Sequence, residues 1–129
     1  MVKHMILWKI DEKFSPDEKQ KIMEDAKREL ENLKGKVPGL LDIKLQIEKL
    51  PSSNADMMLD STLESAEALK GYQVHPDHVC AADKFVRPFT CERLCLDFEN
   101  RILEKNNCHV KLRNNIAVVF FNYNNRLMF

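Results

Sequence analysis

The segment Gly71-Tyr72-Gln73-Val74-His75-Pro76-Asp77-His78-Val79 holds the residue types best suited to chemistry in this chain. Proline fixes φ and has no N–H, so Pro76 suits the first position of a helix and His75 becomes its N-cap. His78 then falls in the first turn, where the helix dipole is positive and disfavours imidazolium. A neutral imidazole near pH 7 is available as a base or acceptor. Tyr72 lies one or two turns earlier and can bring a hydroxyl to the same mouth. A tyrosine donor opposite a neutral histidine can take a proton from a carbon beside a carbonyl and hold the incipient enolate oxygen. His4 is a third candidate, because it shares one side of an N-terminal strand with Ile6 and Trp8. Capping by His75 and packing of Tyr72 with a wet hydroxyl account for the same residues without catalysis.

Metal chemistry has weaker support. His75 and His78 have an HxxH spacing, yet only Asp77 and Asp83 lie near them in sequence, so no metal or cofactor is expected. Of the four cysteines, Cys91 and Cys95 sit on a strand-like segment, where four residues span about 13 Å. That is too far for a disulfide or a shared zinc ion. Cys80 and Cys108 complete no CxxC pair, and reduced thiols, three of them partly buried, are the expectation. The methionines read as core filler.

The elements that must position these groups are legible in the periodicity. Over residues 2–10, Val2, His4, Ile6, Trp8 and Ile10 alternate with Lys3, Met5, Leu7 and Lys9. This predicts a strand that is apolar on both faces in its middle. Ser15-Pro16-Asp17-Glu18 predicts a helix start with a capping box. Ile22, Met23, Ala26, Leu30 and Leu33 follow at helical spacing, and Gly35 and Pro38 stop the helix. Residues 40–49 alternate strictly, with Leu41, Ile43, Leu45 and Ile47 on the apolar side. After a turn at Pro51-Ser52-Ser53-Asn54, Met57-Met58-Leu59 with Thr62 and Leu63 reads as a third strand. Ser65 caps a helix through Ala66, Leu69 and Tyr72. His75-Pro76 interrupts it, and a second short helix runs through Val79, Ala82 and Phe85 to Pro88. Residues 91–98 form a fourth strand, with Leu94, Leu96 and Phe98 opposed to Arg93, Cys95 and Asp97.

The order β-α-β-β-α-β over residues 2–99 predicts an α+β ferredoxin-like sandwich with its helices on one face. The helices leave Met5 and Leu7 uncovered, and a second copy of the sheet is the simplest cover, so a homodimer is expected from patterning alone. Two units are expected, residues 1–99 as the domain and 100–129 as an extension. The extension has eight asparagines and the run Ile116-Ala117-Val118-Val119-Phe120-Phe121. It reads as a β-hairpin around Asn114-Asn115 or a poorly ordered, loosely packed tail.

Composition narrows the partners. A length of 129 residues suits a single core, and 44% hydrophobic with 31% charged residues is an ordinary globular mixture. Twenty basic and twenty acidic residues cancel, and no basic run stands out, so no nucleic-acid partner is expected. No stretch approaches the ~18–20 apolar residues needed to span a bilayer, and no membrane partner is expected. The first residues lack a secretory signal pattern, which makes a cytoplasmic location the expectation.

Four separated motifs resemble the stress-responsive dimeric α/β-barrel (Dabb) family. They are Val2-Lys3-His4-Met5-Ile6-Leu7-Trp8-Lys9, Gly35-Lys36-Val37-Pro38-Gly39-Leu40, Tyr72 to Val79, and Phe85-Val86-Arg87-Pro88 with Asp97-Phe98. The resemblance covers about residues 1–99. It implies a ferredoxin-like protomer that pairs into a dimeric α/β barrel, with a pocket between sheet and helices. The family includes plant polyketide cyclases such as olivetolic acid cyclase, which use a Tyr-x-x-His-Pro-x-His motif and a histidine on the first strand. Carried over, these roles fall on Tyr72, His78 and His4. Trp8, His75 and Val79 are further expected ligand contacts. Two departures are visible: Met57 stands where the cyclase has a further histidine, and the first helix has no tyrosine. Three readings follow. The first is a homodimeric Dabb domain with a pocket for a small organic ligand. The second is a lyase or cyclase acting on a β-keto or polyketide-like substrate, and the third is a non-catalytic stress-response or interaction module.

Overall fold

The computed structural model describes residues 1–100, 120–122 and 126–128. The chain divides into two compact units, Met1–Glu99 and Asn100–Phe129.

In the first unit, β1 (Val2–Ile10) is followed by α1 (Pro16–Glu31), β2 (Leu40–Gln46), β3 (Met57–Leu63), α2 (Ala66–Val74), α3 (Pro76–Phe85) and β4 (Thr90–Glu99). The four strands form one antiparallel sheet in the order β2-β3-β1-β4. This is the expected ferredoxin-like α+β arrangement, its second helix divided at His75-Pro76.

The α1 start follows from its sequence. Ser15 accepts from the Glu18 amide, and the Glu18 carboxylate accepts from the Ser15 amide. These two bonds satisfy donors that the first helical turn leaves free. The helix stops at Glu31 with Asn32 as its cap, earlier than the Gly35 stop predicted. Gly35 still takes a positive φ of 90° in the turn that follows. Gly39 is more constrained. Its φ is 83°, and a Cβ there would lie 2.6 Å from the Ala68 Cβ, so glycine lets β2 enter beneath α2.

The apolar side of β1 builds the core. Val2, Ile6, Trp8 and Ile10 are buried with Leu30, Leu45, Leu59 and Leu63. Strand β2 corrects one expectation. A register shift between Leu40 and Asp42 turns Leu41 outward and Leu40 inward. Strict alternation fails there because the bulge inserts one residue without a partner. The strand also ends at Gln46 rather than 49. Near the other end of the sheet, Asp56 is buried and accepts from the Ile10 amide at 2.7 Å and from Lys49 Nζ at 2.6 Å.

The helix-free side of the sheet is apolar, and no other element of the first unit covers it. Leu7 and Met5 pair with Leu94 and Leu96, and Lys3 pairs with Phe98. Directly opposed residues share a face, so these side chains form one patch with Met58, the β3 partner of Leu7. Leu94 is 70% and Leu96 63% exposed. Strand β4 is exposed on its helix-side residues as well, because the helices cover the other three strands and leave this edge open.

In the second unit, β5 (Phe120–Asn122) pairs antiparallel with β6 (Arg126–Met128). The turn expected at Asn114-Asn115 lies outside the described residues. No helix among the described residues is long and apolar enough to cross a membrane.

Candidate functional site

A cavity of about 270 Å³ opens between the sheet and the helices. Ile6 and Trp8 of β1, Leu30 of α1, Leu59 of β3 and Val86 form its apolar wall. The polar lining is His4, Tyr72, Gln73, His78, Arg87 and Arg93, with Thr90 at the edge.

Each polar group is placed by a local reason. The α2 cap, Ser65 accepting from the Ala68 amide, sets the helix phase so that Leu69 and Tyr72 point inward. Tyr72 is fully buried, and its hydroxyl has no hydrogen-bond partner among the described residues. A buried hydroxyl without a partner costs free energy, so native interiors rarely keep one. Burial pushes its pKa well above the ordinary tyrosine value, and the group is therefore a donor across the physiological range.

His75 caps α3 as expected: its Nδ1 accepts from the Asp77 amide at 3.1 Å. That bond turns its ring to the backbone, and neither His75 nor Val79 is among the residues lining the cavity. The expected ligand contacts therefore reduce, in this geometry, to Trp8.

His78 does face the cavity. Its Nδ1 lies 3.3 Å from the Gln73 carbonyl oxygen. A carbonyl only accepts, so the proton sits on Nδ1 and the neutral ring keeps its free lone pair on Nε2. Burial lowers the His78 pKa below the ordinary value. The Gln73 bond opposes this, and the positive charges of Arg87 and Arg93 reinforce it. The neutral state was expected from the helix dipole; burial, the first cause of the lowered pKa, favours the same state. The Tyr72 and His78 rings lie 4.3 Å apart between centroids, tilted by 39°.

His4 is buried on β1, where Ser61 Oγ donates to its carbonyl at 2.8 Å and ties β1 to β3. Its ring meets Tyr72 edge-on at 5.8 Å. Its Nδ1 lies 2.5 Å from Asp97 Oδ1 on β4, directly across the ladder. The carboxylate accepts the Nδ1 proton and so fixes the ring's tautomer and orientation. Sequence reasoning missed this partner and also the two arginines. The alternation of β4 put Arg93, Cys95 and Asp97 on one face, but only the β1–β4 register pairs Asp97 with His4.

Cys95 completes a small cluster, with Sγ 3.8 Å from His4 Nδ1 and 3.5 Å from Asp97 Oδ1. These three could together hold a cation. The hydrogen bond between His4 and Asp97 already engages two of these three groups with each other. The cysteines correct a further expectation: Cys80, Cys91 and Cys95 are free thiols, but all three are exposed rather than partly buried. Cys108 lies outside the described residues.

The fold has close relatives. A protein of unknown function described as dimeric and ferredoxin-like, from Bacteroides fragilis, is 28% identical with a TM-score of 0.72, over 77% of this chain and 95% of that one. A Dabb family protein from Mesorhizobium loti is 19% identical with a TM-score of 0.60, over 77% and 95%. A hydroxynitrile lyase from Passiflora edulis is 18% identical with a TM-score of 0.58, over 75% and 90%. At the identities of the last two, the likeness is one of fold. No curated protein sequence matches. The profile of the Stress responsive A/B Barrel Domain covers residues 2–100, which include every strand and helix that shapes the cavity, and the chain belongs to that family, Dabb.

Proposed function

We propose that this Dabb domain acts as a homodimer whose sheet–helix cavity binds a small organic molecule through a carbonyl oxygen. The observation that carries the reading is Tyr72, which lines the cavity and whose buried hydroxyl has no hydrogen-bond partner among the described residues. A ligand oxygen would supply the missing acceptor, and the apolar wall would hold the rest of the molecule. The dimer is supported by the uncovered patch around Leu7, Leu94, Leu96 and Phe98, since large exposed apolar patches mark contact surfaces. A dimeric description of the Bacteroides fragilis relative points the same way.

Trp8 is the chain's sole tryptophan and lines the cavity, so its fluorescence reports occupancy directly. Titration with a panel of small ketones and aromatic carbonyl compounds should produce saturable changes that weaken in Tyr72→Phe. A panel that leaves Trp8 unaffected would exclude the reading.

A second reading, a lyase or cyclase step on a β-keto or polyketide-like substrate, is favoured by the pairing of donor and base. Tyr72 would donate to the carbonyl oxygen while His78 Nε2 takes the proton from the adjacent carbon. His4, oriented by Asp97, lies beside Tyr72. This reading requires solvent exchange of the α-proton of a bound ketone, followed by NMR in deuterated water. The wild type should exchange it and His78→Gln should not, although the variant still binds. Equal exchange in both proteins would leave a binding module.

A further inference from the structure

The charge of the cavity is out of keeping with that of the chain. Acidic and basic residues balance at twenty each overall, yet the cavity lining holds two arginines and no aspartate or glutamate. The two arginines differ. The Arg87 guanidinium is committed to Asp83, one turn back on α3. Arg93 has no carboxylate within ion-pair distance among the described residues. It stands on β4 directly opposite Trp8, so its stem leaves the same face of the sheet beside the indole. A cation at the rim, an apolar wall behind it and a buried hydroxyl deeper in describe an amphipathic guest.

Resting on the reading of this cavity as a ligand site, we propose that its ligands are small carboxylic acids, with the carboxylate paired to Arg93 and the apolar body on Ile6, Trp8 and Val86. The planar guanidinium fork matches a carboxylate in two parallel hydrogen bonds. One arginine without a carboxylate partner among the described residues balances one negative charge, which suits a carboxylate better than a dianionic phosphate ester. The cavity volume lies just below the range of about 300–1,000 Å³ that holds drug-sized ligands, and this limits the guest to a compact acid. With the carboxylate at the rim, a carbonyl further along the molecule would reach Tyr72, so the ligand class would be a small oxo acid or an aromatic acid.

The test uses the full chain and matched probes. Trp8 fluorescence is titrated with phenylacetate, phenylacetamide and phenyl phosphate. Phenylacetate should bind about tenfold or more tighter than its neutral amide, as expected for one charge-assisted contact. Arg93→Gln should remove that preference, and Arg93→Lys should keep part of it. Because Arg93 is an exposed residue of an edge strand, neither substitution disturbs the core. Equal affinity for acid and amide in the wild type, or a preference that survives Arg93→Gln, would overturn the inference while the cavity remains a ligand site. Tighter binding of phenyl phosphate would overturn the carboxylate assignment. A failure of all three probes to affect Trp8 would remove the ligand site, and the inference with it.

Discussion

Replacing Tyr72 by phenylalanine separates a structural tyrosine from a functional one, because the two roles predict opposite signs for stability. The ring is fully buried against His4 and His78, and phenylalanine keeps its volume, so no cavity opens. What disappears is a buried hydroxyl that has no hydrogen-bond partner among the described residues. Leaving such a group unsatisfied costs about 1–3 kcal/mol, and its removal should return about 1 kcal/mol to the free protein. For a unit of this size that raises the melting temperature by about 4–8 °C. The same change removes the donor for a bound carbonyl, which should weaken binding by about five- to thirtyfold. Differential scanning calorimetry of the free protein and a Trp8 fluorescence titration read the two effects independently. A variant that melts lower than the parent and binds equally well would refute the reasoning, since the hydroxyl would then be a structural hydrogen bond. A gain in stability with a loss of binding is the pattern of a site held ready at the expense of the fold.

Other predictions test other parts of the molecule. On the proposed homodimer the wild type should sediment as a dimer and Leu96→Asp, in the middle of the exposed patch, as a folded monomer; a variant that still dimerises would place the interface elsewhere. Asp56→Ala should destabilise the domain by about 2 kcal/mol in urea unfolding, because the Ile10 amide and Lys49 both lose their acceptor; no change would show that water replaces the carboxylate. His78 has a folded pKa below its ordinary value, so the unfolded chain takes up its proton first as pH falls. Its contribution to stability is therefore complete above about pH 6.5 and declines below it until the folded pKa is reached. His78→Gln should flatten that part of the stability profile, and an unchanged slope would assign it to another group.

Some of the site was readable in advance because it is local. His75 as cap, Pro76 at the helix start and His78 in the first turn depend on φ restriction and on backbone donors within a few residues. The chain states such constraints directly. His75 also shows the limit of that reading. The capping bond that sequence predicts aims its ring at the Asp77 amide and leaves it out of the cavity lining, and Val79 is missing from that lining as well. The bulge at Leu41 was hidden for a different reason. An alternating pattern records which residues are apolar, not where one strand gains a residue relative to its neighbour.

Periodicity, caps and turn residues were enough to set the α+β order, the buried side of β1 and the helix-free patch, because each follows from short-range sterics and from the need to bury apolar side chains. The partnership of His4 with Asp97, the placement of Arg93 opposite Trp8 and the burial of a Tyr72 hydroxyl with no partner among the described residues came only with the tertiary structure. They join residues as far as 93 positions apart, across a ladder whose register is set by the packing of the whole sheet. Long-range pairing of this kind leaves no periodic trace in the chain, since one slip of a strand would give each side chain a different neighbour.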